Sequence, residues 1–219
     1  MRVLHHLEQS RSFRILWAME ELGLDYEVKY YKRQPNLSAP PALKQIHPLG
    51  KAPILVDQSQ VLAESAAILE YLQETYDEMQ QFRPEDIADK AQYRYWMHYA
   101  EGSLMPLLVM QLVMTTVPKH TPLLIRPVAK KICDGVKKQF VQSRLKDHIQ
   151  FLESYLSEHD YFAGHFSFAD IQMSFPLEAM QSRTGQSYPA IQAYLKRVSQ
   201  RAAYALSLIH ISEPTRQEA

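Results

Sequence analysis

The sequence predicts an α/β N-terminal domain followed by an all-α C-terminal domain. Three observations carry this reading. Short strand patterns and helical patterns alternate as far as about Thr75. Strand signals stop after the stretch Tyr76 to Pro84. Beyond it only long helical periodicities remain. A chain of 219 residues, 46% hydrophobic, is large enough to bury a sizeable core in two small domains. The expected division is a first domain over 1–76, a linker over 77–84 and a helical domain over 85–204, with 205–219 standing apart.

In chain order, Val3-Leu4-His5-His6 reads as a short strand, and a loop from Leu7 to Arg11 follows. From Ser12 the apolar spacing turns helical: Ile15, Met19 and Leu22 share a face, with Leu16 beside them. Gly23 ends that helix as a left-handed cap residue does. Tyr26, Val28 and Tyr30 alternate as a second strand. Pro41 suits the first turn of a short helix reaching Ile46. Ile54 to Val56 and Val61 to Ala63 are strands joined by the turn Asp57-Gln58-Ser59. A helix from Ser65 to about Thr75 carries Ile68, Leu69 and Leu72 on one stripe. The order is β-α-β-α-β-β-α. Helices then follow over about 86–116, 127–158, 168–183 and 189–201. Pro106 and Pro176 are expected to kink theirs. Ser167 and Asp170 have the spacing of an N-terminal capping pair.

Composition narrows the function. Lys plus Arg and Asp plus Glu are each 24, so no broad basic field exists to hold nucleic acid or an anionic membrane. Cys133 is alone, which excludes a disulfide framework and fits a reducing compartment. The opening MRVLHHLEQS lacks the apolar run of a signal peptide. Leu104 to Val113 is broken by Pro106 and Gln111 and is too short to cross a bilayer. The expectation is a soluble, cytoplasmic protein with no nucleic-acid or membrane partner. His5 and His6 point to opposite faces of a strand and make a poor chelate, so no metal site is expected.

Residues 47–53, HPLGKAP, put two prolines and a glycine just before a buried strand. Proline cannot donate to a sheet ladder, so a chain needing only a strand avoids this arrangement. With HPLGKAP before the third strand, AESAAI opening the third helix and LEQSRSFRILWAMEELGLDYE over the first, the chain resembles the glutathione transferases. The resemblance covers residues 1 to about 204 and implies a thioredoxin-like first domain, a homodimer and a glutathione site. In that family the proline is cis, here at the Ala52-Pro53 bond. Ala52 then offers its backbone N–H and C=O to an extended peptide, as an added strand would.

Glutathione presents two carboxylates, an ammonium and a thiol. Ser65, at a helix start, suits the γ-glutamyl carboxylate, and Glu64 the ammonium. Ser65 as a plain helix cap is the alternative. Lys51, then Arg33, then His47 are candidates for the glycyl carboxylate. The sulfur needs a donor that favours thiolate. Serine-type members use a hydroxyl in the loop after strand one. Counting back from Arg14, that position falls at Gln9, with Ser10 one residue on. Ser10 and Arg11 are therefore the catalytic candidates, with helix capping by Ser10 or Ser12 as the alternative. Tyr99, Ser103, Met105 and Met110 are candidate lining for a hydrophobic electrophile, or simply core. The resemblance implies conjugation of the glutathione thiolate to that electrophile. Glutathione-dependent reduction of a disulfide or peroxide, and non-catalytic ligand binding, are the alternatives. At the C-terminus, LSLIHISEPTR resembles translated sequencing-adapter read-through, so no function is expected of residues 206–219.

Overall fold

A computed structural model describes residues 1–36, 38–184 and 186–212. The N-terminal part is a small mixed sheet. Strands β1 (Arg2–Leu7), β2 (Tyr26–Tyr31), β3 (Ile54–Asp57) and β4 (Gln60–Ala63) lie in the order β2-β1-β3-β4. β1 and β2 run parallel with Leu4 opposite Val28, so they need a crossover helix. That helix is α1 (Phe13–Glu21), which ends at Gly23 with φ +62°. β3 is antiparallel to β1 and to β4, which suits the tight turn between β3 and β4. A 3-10 turn over Pro41–Gln45 leads into HPLGKAP. Helix α2 (Ser65–Tyr76) packs against α1 and β4. The strand and helix order expected from the sequence is the one found.

α1 is more deeply buried than its stripe implies. Every residue from Arg14 to Met19 is inaccessible to solvent. The helix is covered by β1 and α2 on one side and by α7 (Phe168–Thr184) and α9 (Ala202–Ser212) on the other. A helix enclosed on all sides needs no polar face, so a charged residue there, Arg14, requires a partner.

The helical part adds α3 (Ile87–Tyr99), α4 (Met105–His120), α5 (Arg126–Val136), α6 (Gln142–Glu158) and α8 (Pro189–Ser199). Two expected long helices are each interrupted by a π-helical turn, at Ala100–Leu104 and Lys137–Val141. The first stands just before Pro106, whose ring nitrogen cannot donate to the ladder. α7 continues through Pro176 as one element. The helical run Ile87–His120 holds an 18-residue window long and apolar enough to cross a membrane by length and composition, which corrects the sequence-based count. That reading took Pro106 and Gln111 as breaks, whereas the helical run continues through both. Asp170 accepts from the Ser167 backbone N–H at 2.8 Å and the Phe162 N–H at 3.0 Å, so the acid's arm of the capping pair forms, while the Ser167 hydroxyl donates to Asp170 at 3.2 Å and the Asp170 N–H goes to the Ser167 carbonyl.

α9 was not expected past Tyr204. It persists to Ser212 because its face keeps partners beyond Tyr204: Ser207 is buried, His210 lies 3.2 Å from Glu20 and edge-on to Tyr26, and Ile211 packs on the core. The rest of the anomalous tail, 213–219, lies outside the described residues.

Candidate active site

HPLGKAP takes the form its composition suggests. Gly50 has φ +57°, and a Cβ there would come within 2.6 Å of Lys44, so both backbone angle and space demand glycine. The Ala52-Pro53 bond is cis, as expected. Glu64, the residue before α2, holds φ +71°, an uncommon angle for a side-chain-bearing residue. Its side chain makes no capping bond.

These pieces meet around a cavity of about 220 Å³ lined by Arg11, His47, Leu49, Lys51, Ala52, Pro53, Ala63, Glu64, Ser65 and Glu101. Of the residues singled out in the sequence for glutathione and its sulfur, Arg11, His47, Lys51, Ala52, Pro53, Glu64 and Ser65 line it, and Ser10 and Arg33 do not. Glu64 and Lys51 are exposed at its rim, while Ser65 is buried. Two carboxylates, Glu64 and Glu101, two lysine or arginine side chains, a histidine and the start of a helix thus face one space. The arrangement matches a zwitterionic, extended ligand with an ammonium and separate carboxylates.

Ser10 is not brought to this wall. It is buried, and its hydroxyl sits 2.7 Å from that of Ser12 and accepts from the Ser12 N–H at 3.2 Å. Ser12 in turn contacts His6 Nδ1 at 2.9 Å and accepts from the Leu7 N–H at 3.3 Å. Burial holds His6 neutral, its pKa lowered to about 4. Ser10 therefore ends a buried polar chain behind the loop. Ser12 precedes α1 without a side-chain cap bond, so its hydroxyl serves this chain instead.

Arg11 faces the cavity. Its Nε donates to Glu101 Oε1 at 2.8 Å. Arg14 donates to the same oxygen at 2.7 Å and to the Ser65 hydroxyl at 2.9 Å, while its Nε and Nη2 find no partner among the described residues. Both guanidinium groups lie over the Phe175 ring, at 5.7 and 5.2 Å. Burial lowers the Arg14 pKa to about 10, against the opposing pull of Glu101. Burial pushes the Glu101 carboxyl up, but hydrogen bonds and charge from both arginines outweigh it, and its pKa falls below the usual value. Sequence reading missed Glu101 and Arg14 as site residues. The only local signal for Glu101 was the irregular helix around Gly102 and Pro106.

A second hollow, about 520 Å³ and largely apolar, is lined by Arg11, Glu101, Met105, Pro106, Val109, Met110, Val113 and Met114. Arg11 and Glu101 belong to both spaces. Met105 and Met110 are among the residues that line it. Ser103 is exposed outside the hollow, and Tyr99 bonds His148 at 2.5 Å in a separate cluster. Arg33 holds the β1–α1 loop by donating to the carbonyls of Glu8 and Gln9, both at 3.0 Å, and does not line the cavity.

The chain is similar to known proteins over nearly all of its length. Residues 1–74 match the family described as "Glutathione S-transferase, N-terminal domain", and 126–204 match "Glutathione S-transferase, C-terminal domain". The chain is 37% identical to Glutathione S-transferase 3 of Schizosaccharomyces pombe, over 98% of this chain and 90% of that one. It is 36% identical to Glutathione S-transferase 1 of Saccharomyces cerevisiae, over 93% and 92%. A crystal structure of a glutathione S-transferase from Actinobacillus pleuropneumoniae superposes with a TM-score of 0.80 at 30% identity, covering 97% of this chain and 93% of that one.

Proposed function

Because the chain belongs to the glutathione S-transferase family and is a glutathione transferase, we propose that it joins the glutathione thiolate to hydrophobic electrophiles at the junction of the two hollows. The observation that carries this is the Arg11–Glu101 pair, which borders both the polar cavity and the apolar one.

In this reading Glu64 takes the γ-glutamyl ammonium. Ser65 and the free N–H groups at the start of α2 take its carboxylate. The Ala52 backbone pairs with the cysteinyl residue, and Pro53 shapes that backbone. Lys51, with His47 beside it, meets the glycyl carboxylate. This leaves the sulfur at the Arg11 end. Arg11 has terminal nitrogens beyond its bond to Glu101, and a cation beside sulfur lowers a thiol pKa. Ser10 stands behind, fixing the loop that aims Arg11. The thiolate attacks the electrophilic carbon, a C–S bond forms, and the leaving group departs with the bonding pair. Met105, Val109 and Met110 give the electrophile an apolar bed.

The same reading includes a first domain ending near residue 76, a cytoplasmic location and a homodimer. For the dimer, α3 and α6 leave Tyr95 and Phe151 exposed at 46% and 43%, an apolar surface for a second copy. Sedimentation at micromolar concentration tests it, with a monomer as the opposing result.

The chemistry is tested by titrating the bound thiol through thiolate absorbance. Arg11→Ala is expected to raise that pKa by about one to two units, the worth of a hydrogen bond to a charged group. An unchanged titration in a folded variant removes Arg11 from this role.

A further inference from the structure

The turn between α4 and α5 carries chemistry that the transferase site does not use. Residues 117–138 hold six Lys and Arg against one Asp, a formal +5 in a chain whose total is zero. Leu123 and Leu124 are 77% and 95% exposed, and Ile125, Val128 and Ile132 are each more than half exposed. Arg126 bonds the Thr121 carbonyl, and Lys137 pairs with Asp134 at 2.8 Å. Lys119, Lys130, Lys131 and Lys138 are exposed and have no ion-pair partner among the described residues.

We propose that this tip docks the protein on an anionic lipid surface. Leucines at the extreme of a turn, ringed by lysines, can enter the acyl boundary while the ammonium groups meet headgroup phosphates. Charge decides among the occupants. A second copy placed tip to tip brings two +5 patches together, which repel. Nucleic acid satisfies the lysines but leaves the leucines in water. An anionic bilayer satisfies both. The neutral total charge of the chain conceals the patch, because the other residues sum to −5.

Docking also has a consequence for the substrate, which rests on the apolar hollow being the electrophile site. Val113 and Met114 line that hollow and lie on α4, two turns before its end at His120. That is roughly 10 Å along the axis. The tip thus holds the hollow close to a reservoir of apolar electrophiles dissolved in the bilayer.

The test is flotation of the full chain with phosphatidylcholine vesicles, with or without phosphatidylserine, at low and high salt. Binding is expected only with phosphatidylserine, and salt is expected to release it. Lys130→Ala with Lys131→Ala should weaken binding about thirtyfold. Leu123→Ser with Leu124→Ser should weaken it about tenfold or more. Both variants should keep wild-type turnover of a water-soluble electrophile, which separates lost docking from lost folding or lost catalysis. No flotation of the wild type with anionic vesicles overturns the proposal, as does flotation unchanged in both variants. Two further results also overturn it: the leucine variant dissociating a dimer, or polyglutamate capturing wild type and leucine variant alike without vesicle binding.

Discussion

Arg14 Nη1 and Glu101 Oε1 lie 2.7 Å apart and join a helix of the sheet-bearing part to a π-turn of the helical part. The arginine is fully buried, while the Glu101 side chain keeps 30% of its exposure. The same arginine holds the Ser65 hydroxyl, so Glu101, which itself lines the polar cavity, is also tied to the start of α2 through one guanidinium.

Removing the carboxylate strands that buried charge. Glu101→Ala is expected to destabilise the fold by about 2–4 kcal/mol, somewhat below the loss typical of a fully buried pair because Glu101 is partly solvated. Arg11→Ala removes a half-buried partner and should cost under about 1 kcal/mol. Denaturant unfolding of the two variants checks the contrast; equal losses would contradict the unequal burial.

Glu64→Ala should weaken glutathione binding by about 1.5–3 kcal/mol, the worth of a hydrogen bond to a charged group. It should leave stability nearly unchanged or improved, since Glu64 is exposed and bonds nothing as a cap. Calorimetry with the folded variant decides, and unchanged affinity would dismiss the assignment.

Ser10→Ala should act on stability before chemistry. Its hydroxyl partners Ser12 and accepts the Ser12 N–H in a buried setting, so its loss should cost about 1–2 kcal/mol. The bound thiol should shift less than in Arg11→Ala. A larger shift with unchanged stability would make Ser10 the direct donor to sulfur.

Two buried groups should oppose each other in acid. The His6 pKa is lowered to about 4, so between pH 6.5 and 4 the unfolded chain binds the extra proton and stability falls as pH falls. Burial raises the Asp170 pKa to about 6, so its contribution is fully present below the unfolded value and is lost as pH rises through 6. Each effect is on the order of 3 kcal/mol. His6→Gln should therefore flatten the acid loss, and Asp170→Asn should steepen it. Unfolding curves at several pH values test this; parallel slopes in all three proteins would contradict it.

The sequence by itself determined the order of elements, because each strand and helix rests on local periodicity and on punctuation such as Gly23 and Pro41. It also singled out Lys51, Ala52, Pro53, Glu64 and Ser65, which come from two short segments flanking one hairpin and stay together in any fold that keeps it. The tertiary structure alone decided three things. It placed Glu101 against Arg11, a pairing across 90 positions that no local pattern encodes. It turned Ser10 toward Ser12 and His6, because a buried hydroxyl goes to the nearest partner its loop allows. It carried α9 past Tyr204, where periodicity fades but α1 supplies a face to bury against. Periodicity reports which side of an element is apolar; only packing fixes what meets it, and long-range electrostatic partners are chosen by packing.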